Sequence, residues 1–175
     1  MQFTVRHVFH TDLDTYWNEI FFSPEYNRRL YSEALGFKGF EVVELTGEPG
    51  GVRTRTMRTE PAAEAPAVVK KLIGDTLTYT EKGTFDPSTG VWTYDIKTSK
   101  LSDKVTIAGR LWAEPVAAGV ERVAEIGVDV RVFGVGGAIE KFIEKTTRDS
   151  YVKASQFTND YIREKGLLAG RVEAT

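Results

Sequence analysis

Residues 76–98 read TLTYTEKGTFDPSTGVWTYDIKT, and they decide the fold. Leu77, Tyr79, Glu81, Gly83 and Phe85 alternate with Thr76, Thr78, Thr80, Lys82 and Thr84, the period of two that marks a half-buried strand. Asp86-Pro87-Ser88-Thr89-Gly90 is a five-residue hairpin loop. Beyond it Trp92, Tyr94, Ile96 and Thr98 oppose Val91, Thr93, Asp95 and Lys97. Two antiparallel strands follow, each with one face richer in rings and aliphatic groups.

The same pattern extends in both directions. Toward the C-terminus, a turn at Leu101-Ser102-Asp103 leads to a strand over Lys104–Ala113, where Trp112 shares a face with Lys104, Thr106, Ala108 and Arg110. Glu114-Pro115 is expected to break that ladder. The last strand, Glu121–Phe133, gathers Ala124, Ile126, Val128, Val130 and Val132 on one face. Toward the N-terminus, Phe40–Leu45 and Val52–Thr59 flank the turn-forming Gly47–Gly51. Six short strands joined by tight turns describe an antiparallel meander. One connection is too long for a turn. It runs from Pro61 to Gly74, and within it Ala67–Ile73 has the composition for two turns of helix, with Val68, Val69, Leu72 and Ile73 on one side.

Different elements close the two ends. Gln2–Phe9 alternates as a strand, Thr11 is placed to cap a short helix carrying Leu13, Trp17, Ile20 and Phe21, and Ser23-Pro24 starts a second that Gly36 stops. After Phe133-Gly134-Val135-Gly136-Gly137, apolar and small residues recur at spacings of three and four from Ile139 to Ile162, until Gly166. That predicts a helix of about 28 residues, on the order of 40 Å long. A one-faced antiparallel sheet must cover its apolar side, and only this helix is long enough.

Composition narrows the function classes. The 175 residues are 41% hydrophobic and 27% charged, the profile of a folded domain with a core of its own. No cysteine is present, which excludes disulfides, thiolate metal sites and cysteine nucleophiles. A net charge of −2 argues against a nucleic-acid partner. Met1–His7 carries no basic leader followed by an apolar run, so a cytoplasmic protein is expected. The whole chain reads as one domain over residues 1–168, with 169–175 expected to fray.

The order strand, two short helices, six strands, long helix resembles the START and birch-pollen-allergen (SRPBCC) superfamily, the helix-grip fold, and in particular a bacterial branch without an assigned function. The opening at Phe3–Leu35, the 86–90 hairpin before Val91-Trp92, and the Gly134–Gly137 entry into the last helix carry the resemblance. It implies an α+β fold in which a seven-stranded curved antiparallel sheet wraps a long C-terminal helix. It also implies a hydrophobic cavity between them for a lipid, sterol or polyketide-like ligand. The same fold hosts cyclases, hydrolase-like enzymes, oxygenase domains and regulators, so it does not choose among them.

Residue by residue, the expected cavity lining is Tyr79, Glu81, Phe85, Trp92, Tyr94 and Trp112 from the sheet, with Phe142, Thr146, Ser150 and Phe157 from the helix. For any one ring, plain core packing is the competing reading. Thr146, Ser150 and Ala154 thin the helix stripe in its middle, leaving room and offering hydroxyls to a ligand's polar group. Glu81 is the one candidate catalytic group. On the apolar side of its strand it would be desolvated and more basic, as a general acid or base requires; alternatively it reaches solvent or pairs with Arg55, Arg58 or Arg110. Val68, Val69, Leu72 and Ile73 would form a lid that touches a membrane transiently through Lys70 and Lys71, or else a segment capping the sheet end. Gly134, Gly136 and Gly137 would gate the mouth. Their spacing lacks the features of a phosphate loop. His7 and His10 lie three apart on a strand, on opposite faces, which suits no metal. The expectation is therefore a protein that binds a hydrophobic small molecule without cofactor or metal, an enzyme on the same cavity being the alternative and a regulatory interaction module the second.

Overall fold

The computed structural model describes residues 1–62, 64–74 and 76–170. Seven strands form one antiparallel sheet in the order β1-β7-β6-β5-β4-β3-β2. They are β1 (Gln2–Phe9), β2 (Gly39–Thr46), β3 (Arg53–Glu60), β4 (Tyr79–Asp86), β5 (Val91–Thr98), β6 (Val105–Val116) and β7 (Gly119–Val130). Two helical segments, α1 (Leu13–Thr15) and α2 (Pro24–Arg29), follow β1, each running on into a wider π-type turn, Tyr16–Phe21 and Leu30–Ala34. The bonds Phe22 N–H to Trp17 O and Leu35 N–H to Leu30 O, each five residues back, mark those turns. The short α3 (Ala67–Ile73) interrupts the meander, and α4 (Gly136–Lys165) closes the chain. This is the helix-grip arrangement.

The alternation read from β4 and β5 is the alternation observed. Glu81 pairs with Ile96, Gly83 with Tyr94 and Phe85 with Trp92, all on the face turned toward α4. Two glycines on this face make room for rings. A Cβ at Gly83 would stand 2.1 Å from the Trp92 ring, and one at Gly109 would stand 2.6 Å from the Tyr94 hydroxyl. The large rings lie directly on backbone there.

Local signals were redistributed at several ends. Asp12, not Thr11, caps α1, accepting from Thr15 N–H at 2.9 Å. Thr11 is buried and donates to the Leu167 carbonyl at 2.6 Å, tying the end of β1 to the end of α4. Pro115 does not end β6. It pairs with Val120 beyond Trp112, the last residue of β6 that faces β5, a position with one hydrogen-bonding neighbour fewer. β7 stops at Val130, short of the expected Phe133. Gly136 and Gly137 belong to the first turn of α4 rather than to a loop. Ala169, expected to fray, donates to the His10 carbonyl at 3.3 Å, while residues 171–175 lie outside the described residues.

α4 rests chiefly on β1 and β7 at one edge of the sheet and on the second helical segment. It stands off the middle strands and leaves a space above them.

Because Trp92 lies against the Gly83 backbone, Gly83→Ala forces a large buried ring to move. We expect a loss of about 1–3 kcal/mol of unfolding free energy, the usual cost of overpacking. Urea unfolding should show a lower midpoint with an unchanged slope; an unchanged midpoint would mean that the ring shifts freely.

Candidate binding cavity

A cavity of about 650 Å³ lies between the inner face of β3–β7 and the middle of α4. That volume is within the range of small-molecule sites. Its helix side runs from Phe142 to Ala154, a rise of about 18 Å at 1.5 Å per residue. Both π-type turns contribute wall, through Tyr16 and Ile20 in the first and Leu30 and Tyr31 in the second. The 61–77 insertion rims the end where β3 and β7 finish, through Pro61, Lys70, Ile73 and Leu77.

Tyr79, Glu81, Trp92 and Tyr94 from the sheet, with Phe142, Thr146 and Ser150 from the helix, share this cavity. Three others of the expected lining do not. Phe85 belongs to a ring cluster below, its centroid 4.4 Å from Trp17 and 5.9 Å from Phe22. Trp112 faces away from α4. Inward positions of β6 are Val105, Ile107 and Leu111, and Trp112 instead lies by Arg110 and donates its Nε1–H to Glu114 at 2.6 Å. Phe157 lies on the same face of α4 as Ser150 but beyond the cavity along the helix, packed against Tyr26 and Tyr161 with Arg29 over its ring.

The expected lid splits into two stripes. Ile73 faces the cavity and Val69 is buried, while Val68 and Leu72 are exposed. Positions 68 and 72 form one i,i+4 row and 69 and 73 the next, so a short helix packed on the sheet end buries only one row. None of the glycines Gly134, Gly136 and Gly137 lines the cavity. A Cβ at Gly136 would lie 2.7 Å from the Val130 carbonyl, so this glycine permits close packing of α4 on β7. Thr146 donates its hydroxyl back to the Phe142 carbonyl at 2.9 Å, which leaves only its lone pairs for a ligand.

Inside the cavity the polar groups are concentrated. Arg55 is buried: Nη1 donates to the Phe21 carbonyl at 2.6 Å, Nη2 lies 3.5 Å from Glu81 Oε1, and the guanidinium carbon lies 4.4 Å from the Phe21 ring centroid and 5.1 Å from that of Trp92. It thus joins β3, the end of the first helical segment and β4. Glu81, its side chain 16% exposed, takes the paired reading rather than the solvent-reaching one. Burial raises its carboxyl above the ordinary glutamate range; Arg55 opposes that shift and Asp95 adds to it. The phenols of Tyr31, Tyr79, Tyr94 and Tyr151 are all raised by burial, so they stay protonated and able to donate near neutral pH.

Sequence reasoning passed over Tyr31, Tyr151 and, above all, Arg122. The signal for Arg122 was available: it occupies the phase of Val120, Ala124 and Ile126, the buried face of β7. His7, opposite Arg122 in β1, is half-buried and held below the ordinary histidine range by burial first and by Arg122 second. His10 is exposed near the Ala118 carbonyl.

Removing one member of the Arg55–Glu81 pair strands the other. Glu81→Gln and Arg55→Met should each cost about 3 kcal/mol of stability, with the Arg55→Met/Glu81→Met double variant closer to wild type than either. Additive losses in urea unfolding would show the two side chains to be energetically independent. The sign with pH also follows. The native state holds the Glu81 proton more tightly than the unfolded chain, so this group favours folding below the ordinary glutamate range and loses that contribution as pH rises through its native titration.

Solved structures of this shape are known. The protein TTHA0849 from Thermus thermophilus superposes with a TM-score of 0.66 at 12% identity, over 94% of this chain and 99% of its own. The Zhui aromatase/cyclase from Streptomyces sp. R1128 superposes at 0.61 and 14% identity, over 95% and 94%. Ara h 8.0201 gives 0.60 at 10% identity, over 90% and 97%. At such identities the likeness is one of fold. No curated protein matches the sequence. The model of the family described as "Protein of unknown function (DUF2505)" matches residues 4–162, and the chain belongs to that family.

Proposed function

We propose that this protein binds, and passes on, a hydrophobic small molecule of lipid, sterol or polyketide-like character, held between the sheet and α4 as in the START-like superfamily its sequence resembles. The observation that carries this reading is the elongated cavity of about 650 Å³ that the protein's own side chains leave empty, walled by Ile20, Leu30, Ile107, Ile126 and Phe142. Apolar burial at about 25 cal/mol per Å² supplies affinity, and the few polar groups inside fix orientation. The shared fold of an aromatase/cyclase and of Ara h 8.0201 supports a ligand-holding scaffold.

Native mass spectrometry of the gently purified protein should show a bound apolar molecule that is lost in Ser150→Trp and Thr146→Trp, since indole rings there fill the middle of the cavity. Retained ligand in both filled variants would place binding elsewhere.

One observation favours the enzymatic alternative, a cyclase or hydrolase-like reaction on an apolar substrate. Glu81, with its raised carboxyl, lies in the same cavity as Tyr79 and Tyr94, the composition of an acid–base site. In that reading Glu81→Gln, which keeps the shape and removes the titrating group, abolishes turnover of a polyketide-like substrate while ligand still binds. Undiminished turnover would remove Glu81 from the chemistry.

A further inference from the structure

We propose that Arg122 anchors an ionised carboxylate, so that the ligand of this cavity is an apolar carboxylic acid bound head-inward. The inference rests on the cavity-binding reading and adds the chemical class and direction of the ligand.

Four observations converge on Arg122. It is 8% exposed, and it lines the cavity. It is clamped between two ring faces, its central guanidinium carbon 4.9 Å from the Phe9 centroid and 4.6 Å from that of Tyr151. Nε is buried without a hydrogen-bond partner, Nη2 reaches His7 Nδ1 at a long 3.4 Å, and the guanidinium also hydrogen-bonds the phenol of Tyr16, a neutral group. Among the described residues, no carboxylate lies within ion-pair distance of it, whereas Arg55 in the same cavity has Glu81.

Arginine cannot shed its proton in a protein, so this charge is buried without a counter-ion. Ring faces compensate only partly, and a buried cation of this kind is costly unless paired. Of the two guanidiniums lining the cavity, Arg55 has the Glu81 carboxylate and Arg122 has none, an excess of one positive charge at Arg122. A monoanion balances that excess. A carboxylate also matches the fork of guanidinium N–H groups, two parallel N–H donors to two oxygens. The groups facing Arg122 reinforce the choice. His7 is held toward its neutral form, and the phenols of Tyr16, Tyr26 and Tyr151 stay protonated, so none competes as an anion.

Position fixes the direction. Arg122 stands near the start of β7, opposite His7 of β1, and the 61–77 insertion lies at the other end, where β7 finishes at Val130. Eight residues of strand separate the two, about 26 Å. A long acid entering head-first at the insertion end therefore places its head on Arg122 and its chain along Ile126, Ile107 and Phe142. Arg53 makes a useful contrast. Both it and Arg55 are also buried with an unpartnered Nε, but Arg53 sits over the Phe22 ring at 4.0 Å outside the cavity lining, where no ligand reaches it, and Arg55 already has the Glu81 carboxylate.

The test uses the full chain with cis-parinaric acid and its methyl ester, fluorescent chains of equal length. Wild type should bind the acid about tenfold or more tightly than the ester, the worth of charge-assisted hydrogen bonds, and Arg122→Met should erase most of that gap by weakening the acid alone. Equal affinity of wild type for both, or a gap that survives in Arg122→Met, overturns the anchor and leaves the cavity reading standing. Failure of both probes to bind wild type overturns both. Hexadecyl phosphate binding more tightly than the acid overturns the choice of carboxylate. A measurement on wild type alone guards against a variant that does not fold. The carboxyl signal of bound ¹³C-carboxyl palmitic acid should titrate below the ordinary carboxylate range. A midpoint at or above it would show a head group in an apolar site with no cation beside it.

Discussion

A straight rod cannot lie flat on a strongly twisted sheet, and the rest of this molecule follows from where the contact is made. α4 rests on β1 and β7 and on the second helical segment, so the inner faces of β4, β5 and β6 are left open where Tyr79, Glu81, Tyr94, Ile96 and Ile107 stand. The two wider helical turns and the α3 insertion close the ends of that gap without filling it. Elsewhere the core is dense: Phe9, Phe22, Val120 and Ile162 are almost wholly buried, and Trp17, Phe22, Phe85 and Trp92 form one ring cluster below the hollow.

Charges inside such a space demand explanation, because an apolar cavity lowers the screening that makes surface ions inexpensive. The charge of Arg55 is accounted for structurally, although its Nε too is buried without a partner. Arg55 holds the carbonyl of Phe21 at the end of the first helical segment, pairs with Glu81, and lies against Phe21 and Trp92, so one side chain fastens three elements around the cavity wall. Arg122 has no comparable set of partners. A position that served packing alone would be met more economically by leucine or methionine, as its neighbours Val120, Ala124 and Ile126 in the same phase suggest.

The fold was legible because its signals are periodic. Alternation in residues 76–98 assigned the inner face of β4 and β5 correctly, and the three-four spacing from Ile139 onward located α4 to within a few residues at each end. The site was less legible because lining depends on which part of a buried face is covered. Phe85 shares the phase of Tyr79 and Glu81 yet lies beyond the hollow, under Trp17, and Phe157 shares the face of Ser150 yet lies farther along α4, packed on Tyr26 past the end of the hollow. Trp112 was misplaced by its size: a ring suggested the interior, although its alternate neighbours Arg110 and Lys104 marked an outward face. Arg122 was hidden for the opposite reason, a charge in an apolar phase.

These two misreadings have one physical root. Side-chain type reports average burial, whereas strand phase reports direction, and where the two disagree direction is fixed by the backbone. At Trp112 the disagreement is resolved by Arg110 and Glu114, which cover the outward ring with a cation and a hydrogen-bond acceptor. At Arg122 the backbone carries a guanidinium inward, and the rings of Phe9 and Tyr151 cover its faces but leave Nε unmet. The outward tryptophan is satisfied by the protein itself. The inward arginine is not, and an unmet donor beside an empty volume is completed by whatever occupies that volume.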